Sequence, residues 1–250
     1  MKSFYEVIQW VNAGAFLGLA LLTLRLWVKR RDKPSFWMAV TFADLGVLTV
    51  IGRVIQVVNG DRDLPLIATK FIVAVLLLFP YFLFRVANSF TPASKTAQRL
   101  AAVLTVAVVV WTFLLPTFPS QGEARSGTFE LFVIGILIQW TALSAVVAFK
   151  FWVGGRGQPP VARARMRLLA AAAAILSLAL VISGAAPGDR PLGVDVGVSL
   201  LTLVVVTIFY LAFAPPGPLR AAWRRPAEEG LRRAVIDLMG AVTDQAVVDG

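Results

Sequence analysis

Charged side chains interrupt stretches that are otherwise apolar. Asp44 and Arg53 sit in "TFADLGVLTVIGRV", and Lys70 sits in "LIATKFIVAV". A charge inside a hydrocarbon layer is costly, so such residues pair, line a polar path, bind a ligand or snorkel to the surface. Arg53 and Lys70 flank one short connection and therefore share roughly one depth. Two cations there need anions. Glu6, Glu130 and Asp195 are the carboxylates at similar depth, an anionic ligand is the alternative, and Gln9 and Asn12 add hydrogen-bonding capacity. The cluster reads first as an ion-pair network pinning one end of a bundle, and second as a ligand or stimulus pocket. Asp44 lies about 12 Å inside its stretch at 1.5 Å per residue. It pairs with Arg25 or a nearby threonine, or it is a proton-handling site. Gln139, near the middle of another apolar stretch, suits a hydrogen bond across helices, with pocket lining second.

Much chemistry is excluded. The chain has no cysteine and no histidine, which rules out disulfides, thiolate chemistry, His or Cys haem ligation, the usual zinc sites and any His-based triad. There is no P-loop, no GxSxG and no metal-ligand cluster in the sequence. No catalytic residue, metal or cofactor is expected, and the chain reads as a non-enzyme. The last apolar stretch contains no lysine, so a retinal Schiff base at a seventh helix is not available.

The elements that must position these residues are membrane helices. The chain has 250 residues, of which 58% are hydrophobic and 15% charged. Its apolar residues come in blocks long enough to cross a layer about 30 Å thick. The expected fold is all-α, a polytopic seven-transmembrane-helix bundle. Its spans run over Tyr5–Val28, Phe36–Val58, Leu66–Ala87, Leu100–Phe118, Phe129–Val153, Met166–Ala185 and Leu192–Ala214. Pro80 and Pro116 are expected to kink the third and fourth. Gly14 and Gly18 form a GxxxG, which permits close helix contact. Lys and Arg concentrate in alternate connections: four in "VKRRDKPS", three over Arg85–Arg99, five over Lys150–Arg167 and five after Pro215. The other connections carry one each, and Lys2 stands alone at the start. The positive-inside rule then puts the N-terminus outside and the C-terminus in the cytoplasm. The net charge of +10 is spent on orientation and anionic lipid, so no nucleic acid is expected as a partner.

Residues 1–214 thus form the transmembrane domain, 215–225 a basic juxtamembrane linker and 226–250 an amphipathic helix. Pro226 followed by Glu228 and Glu229 is a favourable helix start. Leu231, Val235, Leu238 and Val242 recur at spacings of four, three and four, which is a coiled-coil seam or one apolar face of a helix packed on a further domain. "FAPPGPLRAAWRRPAEEGLRRAVIDLMGAVTDQAVVDG", following seven spans, resembles the membrane modules that open many actinobacterial-type signalling proteins. In that resemblance "LRRAVIDLMGAVTDQAVVDG" corresponds to a linker helix and the first helix of a GAF domain. A histidine kinase, diguanylate cyclase or phosphatase would follow. The resemblance carries no catalytic motif. Its implications are a multi-pass sensor in a bacterial inner membrane, homodimeric, coupled to a downstream cytoplasmic domain. The alternatives are a small transporter or channel using Asp44, Arg53 and Lys70, or a non-catalytic scaffold in the bilayer.

Overall fold

A computed structural model describes the backbone of residues 2–59, 64–119, 126–185 and 192–248. The side chains of 2–4, 53, 56–59, 180, 183–185, 192, 195, 226–227, 234 and 237–248 fall outside the description. The regular structure among the described residues is entirely helical: α1 (Lys2–Arg30), α2 (Lys33–Asn59), α3 (Leu66–Phe90), α4 (Lys95–Leu114), α5 (Gly127–Gly154), α6 (Pro160–Ala185), α7 (Leu192–Phe213) and α8 (Gly217–Val248). Six segments are long and apolar enough to cross a membrane: Tyr5–Arg30, Lys33–Gly52, Leu66–Phe90, Lys95–Leu114, Gly127–Gly154 and Val196–Phe213. The chain is therefore an all-helical, multi-pass membrane protein. α6 packs between α5 and α7.

The helices close a ring in the order α1, α2, α3, α5, α6, α7, with α7 returning to α1. α4 lies outside the ring, against α3 and α5. The buried face of α4 is accordingly narrow, marked by Ala101, Thr105, Val108 and Thr112. The rest of its surface presents Leu100, Val103, Val106, Val110 and Leu114 outward. Apolar side chains facing out on a polypeptide of this length suit lipid as the surrounding solvent. Lipid removes most of the hydrophobic drive for helix association, so packing must hold the ring together. Phe42 of α2 provides much of it: fully buried, it meets Phe209 and Phe213 of α7 edge-on at 5.0 and 5.3 Å. Phe79 of α3 stacks on Trp140 of α5 at 5.6 Å.

Ring contacts fix which helix ends lie together. Trp27 meets Phe36, Trp37 meets Phe82, and Phe90 meets Phe151, so the C-termini of α1, α3 and α5 share one end with the N-terminus of α2. This is the basic end. At the opposite end Phe71 meets Phe113 and Phe118 meets Phe129. The connections there include residues 60–63, 120–125 and 186–191, which lie outside the described residues.

Local chemistry sets the boundaries. α1 stops because Arg31 turns left-handed at φ 56°, its N–H donating to the Trp27 carbonyl at 2.7 Å. Asp32 then caps α2: its carboxylate accepts from the Ser35 N–H at 2.8 Å, and Pro34 falls in the first turn, where no N–H is needed. Ser94 and Ser126 cap α4 and α5 in the same way. α4 ends at Leu114, short of the expected Phe118. Pro116 does not kink this helix. It holds the residue before it, Leu115, in extended backbone at φ −63° and ψ 131°, and so terminates the helix. Pro80 does lie inside α3. α8 starts at Gly217, not at Pro226. Pro218 fits a first helical turn, and "LRAAWRR" is rich in good helix formers, so the basic stretch after α7 is itself helical.

Candidate functional site

Lys70 is buried, and its Nζ donates to the Phe113 carbonyl at 2.9 Å. Phe113 is in the last turn of α4, where carbonyls lack intrahelical donors and the helix dipole is negative. The cation thus closes the end of a neighbouring helix. Glu6 and Glu130 are exposed on α1 and α5, and neither forms a salt bridge with a described residue. The side chains of Arg53 and Asp195 lie outside the described residues. Asn12 is buried and donates to the Ser199 carbonyl at 2.9 Å, tying α1 to α7, while its Oδ1 has no partner. Gln9 is partly buried one turn before it.

Asp44 is half-buried, and its Oδ2 is enclosed without a hydrogen-bond partner. Arg25 points outward and does not bridge to it. Gln139 is fully buried, and its Nε2 reaches the Leu77 carbonyl and the Thr105 hydroxyl, each at 3.3 Å. It therefore joins α3, α4 and α5 one residue beyond Leu76, whose carbonyl Pro80 deprives of its usual donor. The Thr105 hydroxyl donates to the Ala101 carbonyl. The Gln139 Oε1 and the neighbouring Trp140 Nε1 are left without partners.

The basic end repeats the arrangement seen at Lys70. The Lys150 ammonium donates to the Thr91 carbonyl, at the C-cap of α3. The Arg165 Nε donates to the Ala212 carbonyl, in the last turn of α7, at 2.6 Å. Between these helix ends lies a cavity of about 650 Å³, lined among others by Arg30 of α1, Asp32, Arg165 of α6 and Arg220 of α8. Hydrogen bonds from Ser35, first its hydroxyl and then its backbone N–H, with some help from Arg30, hold the Asp32 carboxyl below its ordinary range. This cavity was not legible in the sequence. Its cations come from three separate segments, each of which reads as a topology signal.

The apolar stripe of α8 is partly described. Leu231 is 68% exposed and Val235 46%, while the side chains of Leu238 and Val242 lie outside the described residues. α8 contacts the bundle through α6, and Arg220 in its first turn lines the cavity. Comparison with protein-family models, curated proteins and solved structures finds no match for the chain.

Proposed function

We propose that the chain is the membrane module of a bacterial sensor, with α6 completing seven spans, the N-terminus outside and the basic end in the cytoplasm. A stimulus taken up by the bundle would shift α6 and α7, and α8 would carry the shift to a cytoplasmic output domain of the GAF-linked kind. The carrying observation is α8 itself. It follows α7 after Ala214–Pro216, extends over 32 residues and leaves Leu231 and Val235 open to water. Side chains of that size on one face are covered in the working assembly, either by the same helix of a second copy or by the next domain. Repacking of a helix pair is an established way to move a signal along a rigid element.

Orientation is tested with single cysteines at Lys33, Lys95 and Arg156. Each should react with an impermeant maleimide only after the inner membrane is opened, and reaction in intact cells would reverse the topology. The relay is tested by disulfide crosslinking through single cysteines along residues 231–242. Crosslinking should peak at 231, 235, 238 and 242. Uniform or absent crosslinking would rule out the helix pair.

A further inference from the structure

We propose that the cavity at the basic end is a binding site for a phosphoryl-bearing anion with an apolar portion. Arg30, Arg165 and Arg220 converge on it from α1, α6 and α8. The charges of Arg30 and Arg165 act on each other unfavourably, which places two cations in close company. The one acid in the lining, Asp32, caps α2 through Ser35 and is attracted by Arg30, and one carboxylate against three arginines leaves the lining positive. Arg165 is aimed by its bond to the Ala212 carbonyl, which occupies Nε and leaves its other donors uncommitted. Neither the Arg30 nor the Arg220 guanidinium has a hydrogen-bond acceptor among the described residues. Planar guanidiniums with free donors match the paired oxygens of a carboxylate or a phosphoryl group, and the several oxygens of a phosphoryl group suit more than one arginine at a time.

The rest of the lining is largely apolar and includes Leu26, Met38, Phe90, Leu169 and Phe213. A bare inorganic ion would leave that apolar surface unused, whereas an amphiphile would cover it. The volume of about 650 Å³ falls within the range of about 300–1,000 Å³ typical of small-molecule sites. The cavity also lies at the level where the apolar spans give way to charged residues, which is where lipid headgroups sit. Because Arg220 belongs to α8, an occupant would tie the start of α8 to α1 and α6. The site stands whether or not α8 relays a signal.

The ligand can come from the bilayer or from solution, and the experiment separates the two. The full chain is purified in detergent, offered equal phosphatidylglycerol and phosphatidylcholine, and analysed by native mass spectrometry. The same protein in phosphatidylcholine nanodiscs is titrated with phenyl phosphate, a soluble phosphate monoester with an apolar ring, and followed by its melting temperature. The variants are Arg30→Gln/Arg220→Gln, Arg220→Gln alone and Arg156→Gln. Arg156 lines a separate basic cleft with Trp152 and Arg163. Arg30, Arg220 and Arg156 are all exposed at the rim, so each variant should melt as the parent does without ligand.

A lipid site predicts preferential retention of phosphatidylglycerol, weakened about tenfold by Arg220→Gln, more by the double change, and not by Arg156→Gln. A soluble-ligand site predicts no lipid preference but a rise in melting temperature with phenyl phosphate that the double variant loses. Equal sensitivity of Arg156→Gln and the double variant would mean diffuse surface charge and overturn the site. So would the absence of both effects in the parent protein.

Discussion

Gln139→Leu should leave the protein as stable as the parent or slightly more so, whereas Gln139→Ala should destabilise it clearly. Gln139 is fully buried, and its single amide nitrogen serves two acceptors at 3.3 Å, at the long edge of hydrogen-bond geometry. Hydrogen bonds between membrane helices average about 0.6 kcal/mol, so losing both costs about 1.2 kcal/mol. The Oε1 is buried without a partner, and removing an orphan acceptor returns about 1–3 kcal/mol. Leucine creates no new orphan, because Thr105 keeps its bond to the Ala101 carbonyl. Alanine removes the same polar atoms but leaves a void among Leu77, Thr105 and Trp140. Large-to-small changes of this kind cost about 2–5 kcal/mol. Both variants can be measured by titrating dodecyl sulfate into maltoside micelles and following helix content. A loss of more than about 2 kcal/mol for Gln139→Leu would refute the reasoning. It would mean that Oε1 has a partner, such as a bound water or ligand, that supports the bundle.

Asp32→Ala removes the N-cap of α2 and should cost about 1 kcal/mol. Because the folded-state carboxyl is depressed, that stabilisation is complete above the unfolded value of about 3.9 and fades as pH falls through the lower folded value. The melting difference between parent and variant should therefore shrink below about pH 4, and a constant difference down to pH 2 would count against the cap. At Gly46 an added Cβ would stand 3.3 Å from the Ala20 Cβ and 3.5 Å from the Phe16 carbonyl. Gly46→Leu must therefore part α1 from α2, at about 1–3 kcal/mol in the same detergent titration. At Gly14 an added Cβ meets nothing within 4 Å, and Gly14→Leu should be neutral in a monomer. A clear loss there would show that a second copy packs on this face.

The helical, membrane-embedded class was legible because hydropathy depends only on residue type and run length. The ring order was not, since nothing in α4 says that it stands outside α3 and α5. Boundaries were harder to read: the second span was expected to start at Phe36, whereas the Asp32 cap starts α2 at Lys33. They were also missed where two effects compete. Pro116 read as a kink but acts on Leu115 as a terminator. Pro226 read as a helix start but lies within α8, since the helix is already established from Gly217. The candidate site divided in the same way. Burial of Lys70 and Gln139 followed from their depth in apolar stretches. Their partners did not, because each bonds to a backbone carbonyl, and carbonyls carry no sequence signal.

That last point bears on the whole charge balance. The chain has 24 Lys and Arg against 14 Asp and Glu, and the salt bridge found among the described residues, Arg233 with Glu229 at 3.9 Å, lies on exposed α8. Within the bundle, cations are matched to helix ends instead: Lys70 to α4, Lys150 to α3 and Arg165 to α7. Each bond satisfies a carbonyl that has no donor of its own and places positive charge at the negative end of a dipole. A carboxylate partner for each cation would leave those carbonyls without a donor and would itself have to be desolvated. A helix offers only a few orphan carbonyls, however, and in an up-and-down bundle half of them lie at each end. Seventeen Lys and Arg crowd the connections of the basic end and the tail, so most have no helix terminus to close. The surplus is therefore available for anions from outside the chain, and Arg30 and Arg220 are members of it that share a cavity with Arg165, a cation already fixed at the end of α7.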